Sequence, residues 1–188
     1  MLLSEAIKAS DHSYSAKDVA GHELPDWYEI GNLLVESGGI EVVDPCCHAS
    51  VRVQTPNGVY AAEARLIDFG GNLRVSRLRA RLETVAAPSR SAKSGTVPVE
   101  LACVLVADMQ ALYAGLTSQE IEESYGLMCR FAGCPGSMCQ LRFESKTIQF
   151  AICSSGWGDG TYPVYGLNSD GQTIGLEVVF IVDGAIRS

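Results

Sequence analysis

Basic residues are in short supply in this chain. Lysine and arginine number 14 against 22 aspartates and glutamates, leaving a net charge of −8 with histidine neutral. Tracking a nucleic-acid backbone needs a basic surface, so no nucleic-acid partner is expected. Charge of either sign is sparse too, at 19% where about 25% is usual. No apolar run approaches the ~18–20 residues that cross a bilayer, so no membrane association is expected. The opening Met1-Leu2-Leu3-Ser4-Glu5-Ala6-Ile7-Lys8 carries an early acid and no sustained apolar core, unlike a secretory signal. A cytoplasmic location follows as the expectation. The seven cysteines, with Cys46 and Cys47 adjacent, then read as free thiols in a reducing compartment. Missing as well are a Walker loop, a dinucleotide fingerprint, a His-Glu-x-x-His helix, an EF-hand loop and a Gly-x-Ser-x-Gly elbow. Those gaps remove the common nucleotide and metal enzyme classes, and no cofactor is expected.

What is present is enough apolar matter for a proper core: 47% hydrophobic residues in 188, the size of one ordinary domain. Residues 1–30 read as an N-terminal appendage of helix and loop, with Ser4 capping a short helix through Ala9 and Asp26 capping a turn that carries Trp27 and Tyr28. From residue 31 the pattern is β. Asn32–Glu36 and Gly39–Val43 flank Ser37-Gly38, a hairpin signal, and Asp44-Pro45 stops the second run. Ser50–Thr55 and Val59–Ile67 flank Pro56-Asn57-Gly58, where Asn-Gly is a strong short turn. In Asn72–Thr84 the apolar positions change parity, from Leu73 and Val75 to Leu78, Ala80 and Leu82. A bulge near Ser76-Arg77 would produce that slip.

Residues 86–96 are small and polar and read as a connector. Val97–Ala107 reads as one buried strand. The convincing helix lies near 118–132: Thr117-Ser118-Gln119-Glu120 has the capping-box form, and Ile121, Tyr125, Met128 and Ala132 fall on one face. Hairpins return with Cys139–Phe143 and Thr147–Cys153 around Glu144-Ser145-Lys146. Thr161–Leu167 and Gln172–Val182 follow, around Asn168-Ser169-Asp170-Gly171, and the nearly all-apolar last strand should be central. The fold class is therefore α+β, β-dominated, with antiparallel hairpin-built sheets forming a sandwich or partly open barrel and one amphipathic helix. A faint echo links Gly39–Asp44 to Ala102–Asp108, and Asn57-Gly58-Val59-Tyr60 to Asp159-Gly160-Thr161-Tyr162. It suggests two diverged β halves, 31–85 and 97–182, within a single domain spanning 31–188.

Several of these segments, in order, resemble a known family: Ser37-Gly38, Val43-Asp44-Pro45, Gly58-Val59-Tyr60, Arg77-Leu78-Arg79, Val104–Asp108 and above all Gly156-Trp157-Gly158-Asp159-Gly160-Thr161-Tyr162-Pro163-Val164-Tyr165. The chain resembles the uncharacterised bacterial domain-of-unknown-function family DUF4241 over roughly residues 32–182, with the C-terminal hairpin as the specific part. The resemblance implies a small bacterial protein with a mostly antiparallel β fold, and it brings no catalytic residues.

Each chemical constellation has a plainer structural reading. Cys129, Cys134 and Cys139 have metal-like spacing that Cys46, Cys47 and His48 could complete, yet buried cysteine also serves as a small hydrophobe, and no metal is assigned. Cys47 and His48 are neighbours that extended chain points to opposite faces, so a thiol nucleophile with its base is not expected there. Asp44, Asp108 and Asp159 end strands, where two could meet as an acid/base pair or each could cap a turn. Arg77, Arg79 and Arg81 form a stripe that could hold an anion or pair with a cross-strand acid such as Glu63. Trp157 and Tyr162 could anchor a partner or plug the core. No catalytic residue is assigned, and the candidate binding residues are Trp157, Asp159, Tyr162, Arg77 and Arg79. The expected function is protein binding of the immunity or antitoxin type, with a toxin as partner. The alternatives are a small hydrolase using strand-end acids and a phage or structural module assembling through sheet edges.

Overall fold

A computed structural model describes residues 3–11, 24–46, 49–143 and 147–182, with only the backbone path for 3–11. In chain order the strands are β1 (Leu3–Asp11), β2 (Tyr28–Val35), β3 (Gly39–Val43), β4 (Ser50–Gln54), β5 (Gly58–Asp68), β6 (Leu73–Leu82), β7 (Ser89–Val99) and β8 (Cys103–Ala107). Two helices follow, α1 (Met109–Tyr113) and α2 (Ser118–Met128), the second running into a 3-10 turn over Cys129–Phe131. Strands β9 (Ser137–Phe143), β10 (Thr147–Ser154), β11 (Gly160–Ser169) and β12 (Gln172–Val179) complete the described residues. They form two antiparallel six-stranded sheets, β1-β9-β10-β8-β3-β4 and β2-β5-β6-β12-β11-β7, and neither closes into a barrel. The fold is thus a β-dominated α+β sandwich with helices on one outer face.

Alternation explains the layers. From β8, Val104 and Val106 enter the core between the sheets, while Cys103, Leu105 and Ala107 face the opposite way into a second core with Met109, Leu112, Tyr125 and Met128 of the helices. A strand covered on both faces reads as an unbroken apolar run. Burying a side chain such as Leu105 or Phe150, each fully enclosed, contributes about 2 kcal/mol. The capping box forms reciprocally: Glu120 N donates to Thr117 Oγ1 at 3.3 Å, and Thr117 N donates to Glu120 Oε2 at 2.8 Å. The parity slip is a bulge at Ser76, because Arg65 lies opposite Arg77 whereas Leu66 lies opposite Val75. Its carbonyl accepts from both Phe180 N and Ile181 N. Strand β12 lies between β6 and β11, central as expected.

Several local expectations are corrected. Where a helix capped by Ser4 and running through Ala9 was expected, Leu3–Asp11 is a strand on β9, and Tyr28 opens β2 instead of belonging to a turn. Neither Ser37-Gly38 nor Pro56-Asn57-Gly58 closes a hairpin. β2 and β5 belong to one sheet while β3 and β4 belong to the other, so each turn carries the chain across the sandwich. Leu33 with Val35, and Ile40 with Val42, face the same core from opposite sides. Residues 89–96, expected as connector, belong to β7, where pairing with β11 outweighs weak intrinsic β-propensity. The run Val97–Ala107 is two strands in two sheets, broken at Glu100–Ala102, with Ala102 at φ +52°. Residues 144–146, 47 and 48, and the Cys129 side chain lie outside what is described.

The sheets carry an internal pseudo-two-fold. Strands β2, β3, β4, β5 and β6 are answered in order by β7, β8, β10, β11 and β12, and the registers match. Leu33 lies opposite Tyr60 as Val97 lies opposite Tyr162. Ile40 lies opposite Val53 as Val104 lies opposite Cys153. Ala62 lies opposite Ala80 as Val164 lies opposite Val178. The two sets meet symmetrically, Val42 opposite Val106 in one sheet and Arg79 opposite Glu177 in the other. Both β5–β6 and β11–β12 turn through two positive-φ residues, Gly70-Gly71 and Asp170-Gly171. Helices α1 and α2 and strand β9 occupy the place where the first set has only residues 44–49.

Candidate functional site

Because β3 and β8 are antiparallel, with Val43 opposite Leu105, Asp44 and Asp108 sit at opposite ends of the sandwich. Each carboxylate holds the backbone that leads into the other's strand. Asp44 Oδ2 accepts from Glu100 N and from Leu101 N. Asp108 Oδ2 accepts from Glu36 N at 2.8 Å and Ser37 N at 2.7 Å, while Oδ1 accepts from Ser37 Oγ and from Ala111 N at 3.0 Å. The next contact repeats as well: Asn57 Oδ1 accepts from Gly38 N at 2.8 Å, and Asp159 Oδ1 accepts from Ala102 N at 3.1 Å. Two tyrosines complete the pattern, Tyr60 OH donating to Pro56 O at 2.7 Å and Tyr162 OH to Gly158 O at 2.8 Å. All three strand-end acids are therefore engaged by backbone N–H groups. Burial opposes ionisation of Asp108, yet the bonds from Ser37, Ala111 and Glu36 hold its carboxyl below the usual range. A cleft of about 390 Å³ is lined by Asp108, Leu34, Glu36 and Thr147 but by neither Asp44 nor Asp159.

Against this shared scaffold the two ends differ at one loop. Pro56 alone separates Thr55 from Asn57, whereas Gly156, Trp157 and Gly158 separate Ser155 from Asp159. Pro56 and Gly158 supply the matching carbonyls to the tyrosines, so Gly156-Trp157 is what the second set adds. The added loop is tightly held. Gly156 has φ +70°, and a Cβ there would lie 2.3 Å from Val75 O, a position only glycine fills. Trp157 N donates to Ser155 O at 2.8 Å, Ser155 Oγ to Gly158 O at 2.6 Å, and Arg74 Nη1 to Gly156 O at 2.8 Å. The indole meets Phe69 edge-on at 4.9 Å, with the Arg74 guanidinium 5.4 Å from its ring centre, and still remains 47% exposed. Leu101, 47% exposed, stands in the loop hydrogen-bonded to this one through Ala102. Its counterpart in the first set is Ser37, tied to Asp108 and Arg52.

The five candidate binding residues fall into three places. Trp157 and Asp159 share the exposed loop. Tyr162 is core, packed edge-on against Phe180 at 5.1 Å, and burial raises its phenol pKa. Arg77 and Arg79 lie on the outer face of the second sheet, the far side of the sandwich core. There Arg79 Nε donates to Glu63 Oε2 at 2.7 Å and lies over Trp27 at 3.7 Å, and Arg81 adds bonds to both Glu63 oxygens at 2.9 Å. Arg77 Nη1 meets Glu177 Oε1 at 3.5 Å, and Arg90 also pairs with Glu177. Burial opposes ionisation of Glu63, but the bonds from Arg81 and Arg79 keep its carboxyl below the ordinary range. Among the described residues, no group of three or more His, Cys, Asp or Glu is placed to hold a metal, and no helix is long and apolar enough to cross a membrane. Sequence reasoning missed Phe69 and Arg74 against the indole and the exposed Leu101 in the adjoining loop. The available signal was the echo itself, which aligns Leu101 with a polar Ser37.

The chain matches no protein-family model, no curated protein and no solved structure. Only the residues quoted above support the family resemblance.

Proposed function

We propose that this chain is a cytoplasmic bacterial protein-binding module of the immunity or antitoxin type, docking on its target through Trp157, with Phe69 against the indole and Leu101 exposed in the adjoining loop. One observation carries the reading: the same turn is built in the first strand set without a tryptophan, so the exposed indole is surplus to the fold. A half-exposed aromatic on a loop fixed by its own hydrogen bonds loses little freedom on binding, as interface anchors do. The test is copurification of the tagged chain with the products of its neighbouring genes, followed by titration. A specific complex that Trp157→Ala weakens about thirtyfold or more, while Leu34→Ala does not, supports the reading. Absence of any complex with those products, or a complex indifferent to Trp157→Ala, overturns it.

A further inference from the structure

We propose that the partner seated on Trp157 presents an aspartate or glutamate side chain to Arg74 beside its apolar contact, an inference that rests on the docking reading above. The Arg74 guanidinium lies 5.4 Å from the centre of the indole and donates through Nη1 to Gly156 O at 2.8 Å. Its Nε is enclosed without a hydrogen-bond acceptor, and among the described residues no carboxylate pairs with it. Asp68 and Asp159, the acids closest in sequence to Phe69 and Trp157, are turned to Gly71 N at 2.7 Å and Ala102 N at 3.1 Å. By contrast, Arg52, Arg77, Arg79, Arg81 and Arg90 each meet a glutamate. Nor does the scaffold ask for this cation. Ile67 lies opposite Arg74 as Ser169 lies opposite Gln172, each beyond the bulge of its strand pair, so the matching place in the second set is neutral.

Desolvation turns the unpaired guanidinium into partner chemistry. In the free chain Arg74 is only half-buried, and solvent compensates the part left open. A partner on the indole covers that part as well, where a cation without a counter-charge is costly. A carboxylate supplies the charge and also acceptors for a planar fork of five N–H groups. The −8 chain repels a generally acidic body at long range. One carboxylate at short range, next to an apolar or aromatic residue for the indole, satisfies both constraints.

Small probes of one shape and different charge test this by NMR on the full ¹⁵N-labelled chain: phenylpropionate, phenylpropanamide and phenylpropylammonium. The readouts are the Trp157 indole N–H and the Arg74 Nε–H, identified by their loss in Trp157→Phe and Arg74→Gln. Phenylpropionate should shift both together and saturably, at about tenfold lower concentration than the amide. That advantage should shrink several-fold between roughly 50 and 300 mM salt. In Arg74→Gln, which keeps a donor for Gly156 O, the amide should bind as before and the carboxylate should lose its advantage. Arg74→Lys, with the charge but no fork, should keep part of it. Equal shifts by carboxylate and amide, preference for the ammonium, or no shift with any probe overturns the carboxylate partner and leaves the Trp157 anchor to the gene-neighbour test. Acetate moving Arg74 as readily as phenylpropionate does assigns an adventitious ion only and also overturns it. A phenylpropionate shift at Arg74 that spares Trp157 separates the cation from the anchor and overturns this inference alone.

Discussion

Removing the hydroxyls of Tyr60 and Tyr162, one at a time and together, measures how alike the two halves of the scaffold are. Each phenol donates to a carbonyl four residues earlier, at 2.7 and 2.8 Å, and the residues are 0% and 7% exposed. Phenylalanine keeps the ring and its packing, so the loss is one hydrogen bond and a carbonyl left short of a donor, about 1–2 kcal/mol. At this chain length 1 kcal/mol moves the thermal midpoint by about 2–4 °C, so each variant should melt about 2–8 °C lower. The two sites sit at opposite ends of the sandwich, and the double variant should lose the sum within about 0.5 kcal/mol. Urea unfolding followed by circular dichroism gives the values, with an unchanged denaturant slope showing that compactness is preserved. The variants should part company in binding, because Tyr162 braces the carbonyl of Gly158 beside the indole and Tyr60 braces a loop without one. Tyr162→Phe should weaken the partner complex and Tyr60→Phe should not. A Tyr162→Phe variant as stable as wild type beside a destabilised Tyr60→Phe would refute the equivalence of the two turns.

Asp108→Asn should cost about 2–4 kcal/mol in urea unfolding, since the carboxylate serves Glu36 N, Ser37 N, Ser37 Oγ and Ala111 N. Asp108 and Glu63 both have folded pKa values below their unfolded ones. Their stabilisation is therefore present above the unfolded values near pH ~4 and lost as pH falls through the folded ones. The urea midpoint should drop on acidification below about pH 4, and less steeply in Asp108→Asn. Gly156→Ala should destabilise by about 1–3 kcal/mol in thermal unfolding, from the 2.3 Å approach to Val75 O and φ of +70°. Gly133→Ala, with nothing within 4 Å of the added carbon, should be close to neutral. Glu63→Ala should lose about 3 kcal/mol by removing the carboxylate that holds Arg79, while Arg81 keeps the Glu83 and Val85 carbonyls, and Arg79→Ala less, because Arg81 still holds the carboxylate.

Where the sequence was legible, the signal was local. The capping box of Thr117 and Glu120, the bulge at Ser76, the Asp170-Gly171 turn and the apolar run of β12 each depend on a few consecutive residues, and each holds. The misreadings share one cause. Ser37-Gly38 and Asn57-Gly58 have the composition of tight hairpins, but a turn that changes sheets uses the same residue types as one that reverses within a sheet. Which occurs depends on whether the flanking apolar faces meet across a core. Strand β7 failed for the complementary reason, since Ser89–Lys93 has little intrinsic β-preference and is ordered by Arg90 and Lys93 lying opposite Leu167 and Tyr165. At the candidate site, Trp157 stood out from its glycines, whereas Leu101 and Arg74 needed the folded chain to bring their loops together.

The matching registers of the two strand sets sort the features that folding requires from those that the proposed docking would use. A duplicated scaffold has two equivalent ends, and any feature demanded by folding should recur at both. The carboxylates of Asp44 and Asp108, the Asn57 and Asp159 acceptors and the two tyrosine hydroxyls all recur, so they answer to stability. Gly156-Trp157 and the exposed Leu101 do not recur, and they leave apolar area uncovered. In the docking reading proposed above, the partner covers that area. Helices α1 and α2, inserted with β9, are a further departure from symmetry, and they bury Leu112, Tyr125 and Met128 against the first sheet. That insertion is spent on core. The indole loop faces outward and has no counterpart in the first set, so a variant with residues 156 and 157 deleted should keep the tyrosine brace through Gly158, fold, and lose its partner.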